Sequence, residues 1–121
     1  KSIRDFVSQF LTSLGYTVSV SANGLDGFEK AQNTPFDLYI VDHLMPLMNG
    51  VTLSKNLKKA AFCANTPILF MTTQSRDNVE KLPEFNLFNS IINKPFDQAE
   101  LLLAIKCLIN DIPTSPSKIA F

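Results

Sequence analysis

The run from Phe36 to Val41 (FDLYIV) constrains this chain more than any other stretch. Phe36, Leu38, Ile40 and Val41 are apolar, β-branched residues are among them, and Pro35 stands just before. Such a run reads as a strand buried on both faces, the condition of a strand inside a parallel sheet. Ile68 to Met71 (ILFM), opened by Pro67, reads the same way. The first run ends in Asp42, where a strand meets its loop. In open α/β sheets, ligands and chemistry gather at the carboxyl ends of strands. A strand-end Asp also serves as a helix cap or turn residue, so Asp42 alone decides nothing. Met45-Pro46 makes a stiff loop after it, and Asn49-Gly50 is a turn signal before the next helical stretch.

The rest of the chain alternates in the same manner. Ile3, Phe6, Val7, Phe10, Leu11 and Leu14 recur at helical spacing, with polar residues on the other side and Gly15 as the stop. Tyr16–Val20 predicts a short strand, Leu25–Gln32 a helix, and Val51–Ala61 a further helix with Leu53 and Leu57 inward. Arg76–Phe85 is polar and weakly helical, shortened by Pro83. Ser90–Asn93 predicts a strand leading to Lys94-Pro95, and Asp97–Ile109 a last helix. Helices alternating with strands imply an α/β domain with a parallel sheet covered on both faces.

The remaining bounds are exclusions. A length of 121 residues fits one domain. Formal net charge is zero and no Lys/Arg stripe stands out, which argues against direct nucleic-acid binding. No apolar run approaches the roughly 20 residues of a membrane span. Cys63 and Cys107 lack metal-ligand spacing and read as free thiols of a reducing, cytoplasmic compartment. His43 is the only histidine, with no paired ligand, and reads as a loop residue.

Three of the strands end in different polar residues: Asp42, Thr72 and Lys94. Parallel strands bring all three to one sheet edge. A carboxylate, a hydroxyl and an ammonium there can bind or transfer an anion, with the carboxylate as nucleophile and the other two as donors to incoming oxygens. The same three residues equally describe a Lys–Asp ion pair beside a strand-end Thr.

From Asp42 to Gly50 the chain fits the D-x-x-M-P-x-M-x-G pattern at every fixed position. Thr72 lies 30 residues after Asp42 (72 − 42), Lys94 lies 52 after it (94 − 42), and Pro95-Phe96 follow. In this the chain resembles the receiver domain of two-component response regulators, of the chemotaxis-regulator type, from about Ser2 to Ile109. The resemblance implies a flavodoxin-like, doubly wound parallel sheet of order 2-1-3-4-5. It implies that Asp42 takes a phosphoryl group from a sensor histidine kinase or phosphotransfer protein, and so switches binding to an effector. On this view the domain catalyses its own phosphotransfer and is not a conventional enzyme. Mg²⁺ would be held partly by Asp42 and the backbone carbonyl of Leu44. Thr72 and Lys94 would contact the phosphoryl oxygens, and the peptide before Pro95 would be cis.

Three departures from the family follow. Its first strand ends in an acidic pair that binds Mg²⁺; both precede the point where Lys1 aligns, so Mg²⁺ binding by this chain is expected to be weak. At the position of the family's rotating aromatic stands Ile91, and Thr73 replaces the usual Ala, which could narrow access to Asp42. The slot left between Tyr16–Val20 and Phe36–Val41 would strand backbone donors and acceptors. Residues 1–111 are expected to form the receiver and 112–121 a linker or tail. Within it, Ser117–Phe121 (SKIAF) is a potential donor strand, inserted in cis or exchanged between two chains as a homodimer. The alternative function is a pseudo-receiver that binds partners without phosphorylation. A flavodoxin-like cofactor binder is disfavoured, because four glycines form no phosphate-cradling run.

Overall fold

The structure is a computed structural model, and it describes residues 3–21, 23–43, 48–60, 65–109 and 118–121. Five helices alternate with strands: α1 Ile3–Ser13, β1 Thr17–Ser19, α2 Gly24–Asn33, β2 Leu38–Asp42, α3 Gly50–Lys59, β3 Ile68–Thr72, α4 Arg76–Glu80, β4 Ser90–Asn93, α5 Gln98–Leu108 and β5 Lys118–Ala120. A 3-10 turn, Phe85–Leu87, stands between α4 and β4. All five strands pair in parallel, in the order β1-β5-β2-β3-β4.

Local chemistry sets the element ends. Side chains of Asn23, Asn49 and Ser75 accept from the backbone N–H groups of Asp26, Thr52 and Asn78, capping α2, α3 and α4. Asp97 and Glu100 form a reciprocal capping box, so Asp97 is the cap of α5 and the helix begins one residue later than its spacing suggests. Gly15, at φ +99°, takes the left-handed conformation that ends α1. The polar stretch after Ser75 holds only five helical residues; Pro83, with no N–H to give, follows closely, and the chain tightens into the 3-10 turn.

The sheet is covered on both faces, and β2 shows why its sequence is apolar throughout. Leu38 and Ile40 join the cluster with Val7 and Leu11 of α1 and Leu101 and Ile105 of α5. Tyr39 and Val41 join the opposite cluster with Ala31 of α2 and Leu53 and Leu57 of α3. The alternation of a strand sends successive side chains to opposite layers.

The slot between β1 and β2 holds β5. Val18 pairs with Ile119, and Leu38 pairs with Ile119 from the other side. The Asp37 N–H donates to the Lys118 carbonyl, and the Lys118 N–H donates back to the Asp37 carboxylate, both at 2.8 Å. At the other end, Phe121 donates to the Ser19 carbonyl and accepts from the Ser21 N–H. Ile119 is fully buried and Phe121 nearly so, within the α1/α5 cluster. The strand therefore supplies both the hydrogen bonds and the apolar side chains that its position requires. The expected linker residues 112–117 lie outside the described residues.

Candidate functional site

The carboxyl ends of β2, β3 and β4 form one edge, and the register fixes what meets there. Asp42 pairs with Met71, and Thr72 pairs with Asn93, the residue before Lys94. The Lys94 N–H donates to the Thr72 carbonyl at 2.9 Å, which carries the ladder past the end of β4 and aims Lys94 inward. Lys94 Nζ donates to Asp42 Oδ1 at 2.8 Å, both side chains less than one-fifth exposed. A pair this close and this sheltered from water is held more firmly than an exposed ion pair. The peptide between Lys94 and Pro95 is cis.

Thr72 is fully buried. Its Oγ1 accepts from the Gln74 N–H at 3.0 Å and lies 2.8 Å from His43 Nδ1. The hydroxyl thus faces the imidazole, while Asp42 faces Lys94. His43 lies in a bend just past β2, as its reading as a loop residue expects, and it also bonds the Thr at the end of the neighbouring strand. Its ring also packs on Phe70, centroid to centroid 5.0 Å. Burial pulls the His43 pKa below the ordinary value for histidine; the Asp42 charge opposes this and the Lys94 charge assists it. A signal for this role was present, since His43 directly follows Asp42 and β2 and β3 are neighbours. Reading it required the register, which sequence spacing does not give.

The backbone under the site is packed tightly. Gly50 donates to the His43 carbonyl at 2.9 Å, and His43 donates to the Met71 carbonyl at 2.9 Å. A Cβ at position 50 would stand 2.2 Å from the Asp42 carbonyl oxygen, so only glycine fits against this backbone. Ile91 is half-buried against the α2/α3 cluster, and Thr73 is exposed. Leu44 lies outside the described residues. Of the expected site residues, Asp42 and Lys94 are in direct contact, Thr72 sits beside them with its hydroxyl engaged elsewhere, and Ile91 contributes to the core.

A magnesium ion takes about six oxygen ligands in near-octahedral array. Among the described residues, no three His, Cys, Asp or Glu side chains gather to hold a metal. Asp42 is already engaged by Lys94. The described donors alone do not amount to a magnesium site. Nor is any described helix long and apolar enough to cross a membrane.

Comparison with known proteins agrees with this architecture. Residues 1–106 match the family model described as the response regulator receiver domain. The transcriptional regulatory protein CrdR of Helicobacter pylori is 37% identical over 112 residues, covering 92% of this chain and 52% of that protein. The probable transcriptional regulator ycf29 of Porphyra purpurea is 33% identical over 104 residues, 85% of this chain and 49% of that one. The chain thus spans about half the length of these curated relatives. Among solved structures, the chemotaxis response regulator CheY4 of Vibrio cholerae superposes with a TM-score of 0.81 at 33% identity, covering 88% of this chain and 89% of that one. The receiver domain of the sensor histidine kinase PA1611 of Pseudomonas aeruginosa, which holds a magnesium ion in its active-site cleft, shares the fold at a TM-score of 0.81 and 22% identity, covering 89% of this chain and 88% of that one. A flavodoxin-like sheet, a family match over most of the chain and a matching solved receiver lead to one conclusion: this chain belongs to the response regulator receiver domain family.

Proposed function

We propose that the chain is a phosphoacceptor receiver in which Asp42 is the phosphorylated residue. The observation that carries this reading is the 2.8 Å contact between Lys94 Nζ and Asp42 Oδ1 at the sheet edge where buried Thr72 ends the intervening strand. In the transfer, an Asp42 carboxylate oxygen attacks the phosphorus of a phosphohistidine. The new P–O bond makes an acyl phosphate as the P–N bond breaks, and the imidazole leaves with the bonding pair. Phosphoryl transfer asks mainly for positioning and charge neutralisation. Lys94 supplies the second by moving from the carboxylate to a phosphoryl oxygen. The donor is a sensor histidine kinase or phosphotransfer protein, the recipient of the signal a downstream effector domain or protein, and the location cytoplasmic.

Magnesium enters this reading as a weakly held family cofactor. The second reading is a pseudo-receiver that binds partners without phosphorylation. The face built from α4, β4 and α5 is the partner surface in either reading; Leu103 stands there 68% exposed.

Incubation with acetyl phosphate and Mg²⁺, followed by intact-mass measurement, separates the two. The phosphoacceptor reading expects one added phosphoryl group that disappears in Asp42→Asn. No addition to the wild-type chain, or an addition that survives in Asp42→Asn, removes Asp42 from the role.

A further inference from the structure

Thr72 cannot serve two partners with one hydroxyl proton. Its Oγ1 already accepts from the Gln74 N–H and is 2.8 Å from His43 Nδ1. A threonine hydroxyl has one proton and two acceptor positions. With Gln74 filling one acceptor position, His43 takes either the proton or the second acceptor position. In the first case the hydroxyl has nothing left to donate. In the second the proton remains free to donate, so competition with a phosphoryl group requires Nδ1 to be the acceptor.

His43 is itself pinned. Its N–H donates to Met71, its carbonyl accepts from Gly50, and its ring packs on Phe70 at the floor of the site. A Cβ at Gly50 would approach the His43 Cα to 2.9 Å, which measures how closely the two backbones already lie. The His43 backbone is thus held in place, and its ring rests on Phe70. On its open side, a cleft of about 310 Å³ is lined by His43, Gln74, Asn78, Val79 and Leu82, joining the imidazole to α4.

We propose that His43 is a positioning residue whose Nδ1 accepts the Thr72 hydroxyl proton, in the tautomer with hydrogen on Nε2, and latches that hydroxyl away from Asp42, so that its donation to a phosphoryl group and the His43–Thr72 hydrogen bond are mutually exclusive. The inference rests on the reading of Asp42 as phosphoacceptor for its functional consequence, and on the hydrogen bond alone for its structural one. An Asp42 phosphoryl group must draw the Thr72 proton away from the imidazole, and the cost of breaking that bond sets how readily the site switches. His43 would also convey the release to α4 through the cleft it shares with Gln74, Asn78 and Val79.

Two measurements on the full chain test this. In the first, the χ1 rotamer of Thr72 is read from three-bond couplings to its methyl carbon in isotope-labelled protein. A single rotamer is expected in the wild type and in His43→Asn, whose amide can replace Nδ1, and rotamer averaging in His43→Phe, which keeps a ring and removes the bond. In the second, the rate of phosphorylation by acetyl phosphate is compared. One neutral hydrogen bond corresponds to a change of roughly three- to ten-fold. His43→Phe should speed the reaction by that factor, His43→Asn should restore the wild-type rate, and the gain should vanish in a Thr72→Val background. An unchanged rotamer in His43→Phe overturns the latch. A rate gain that persists with Thr72→Val overturns the competition, as does no gain at all. If the wild-type chain takes up no phosphate, that failure belongs to the assignment of Asp42, and the rotamer measurement alone decides the latch.

Discussion

Gly50 shows how a residue can be legible in the sequence for one reason and required for another. Asn49-Gly50 reads as a turn, and Asn49 does cap α3. The stronger constraint is contact: a Cβ at position 50 would meet the Asp42 carbonyl oxygen at 2.2 Å and the His43 Cα at 2.9 Å. Both are backbone atoms that cannot swing aside. Helix propensity alone favours alanine over glycine by about 1 kcal/mol. Gly50→Ala is nevertheless expected to lower stability by about 1–3 kcal/mol, the usual cost of overpacking. Because the strain falls on the backbone that carries Asp42, phosphorylation by acetyl phosphate should slow as well. Denaturant midpoints and labelling rates on the same preparation check both; an unchanged midpoint would mean that the β2–α3 connection yields easily. Asp42, Thr72 and Lys94 were visible because a motif fixes their type and spacing. His43 was not, because its significance comes from a hydroxyl 29 residues away (72 − 43) on a neighbouring strand.

Among the elements, β5 is the least conspicuous in the sequence and occupies the most demanding position in the fold. Three residues cannot display a period, and Pro113 and Pro116 upstream make the region read as a linker. What betrays the strand is the demand from its neighbours: two strands flanking an empty slot leave several backbone groups without partners. By contrast, β2 and β3 announce themselves, since burial on both faces forces an unbroken apolar run. The placement of β5 gives a sharp expectation. Ile119 is fully buried between two ladders, so Ile119→Ala should cost about 2–5 kcal/mol. Leu103→Lys, at an exposed position of α5, should leave stability unchanged within about 0.5 kcal/mol while weakening binding to a partner that uses that face. Chemical denaturation of the two variants makes the comparison. A silent Ile119→Ala would show that β5 adds little, and unaltered partner binding by Leu103→Lys would take α5 out of the contact surface. Insertion within one chain further requires that the unfolding midpoint not depend on protein concentration.

At the scale of the whole molecule, the sheet order carries the position of the site. Four of the five strands follow one another in the order a receiver requires, and β5 takes the second place, between β1 and β2. That order could be argued from the sequence only as a vacancy with a potential filler; the hydrogen bonds at both ends of β5 turn it into a register. Leu38 pairs with Ile119 and Tyr39 with Ala120. Counting on, Ile40 falls opposite Phe121, and a residue two places after Phe121 falls opposite Asp42. Parallel strands keep their polarity, so any side chain placed there reaches the edge that holds Asp42 and Lys94. The described residues bring no cluster of three metal-binding side chains to that edge, and magnesium wants several oxygens at once. A chain extended after Phe121 by Val-Asp-Asp should therefore place one new carboxylate opposite Asp42 and a second one position further along the same edge. It is expected to bind Mg²⁺ more tightly than the chain ending at Phe121, by on the order of tenfold or more, since affinity in such sites follows the number of charged ligands. The Val-Asn-Asn extension keeps the length and strand pairing while removing the charges, and should show no such gain. Titration calorimetry with MgCl₂ on the three chains measures it. Equal affinity for the aspartate and asparagine extensions would mean that the β5 register does not persist to the sheet edge.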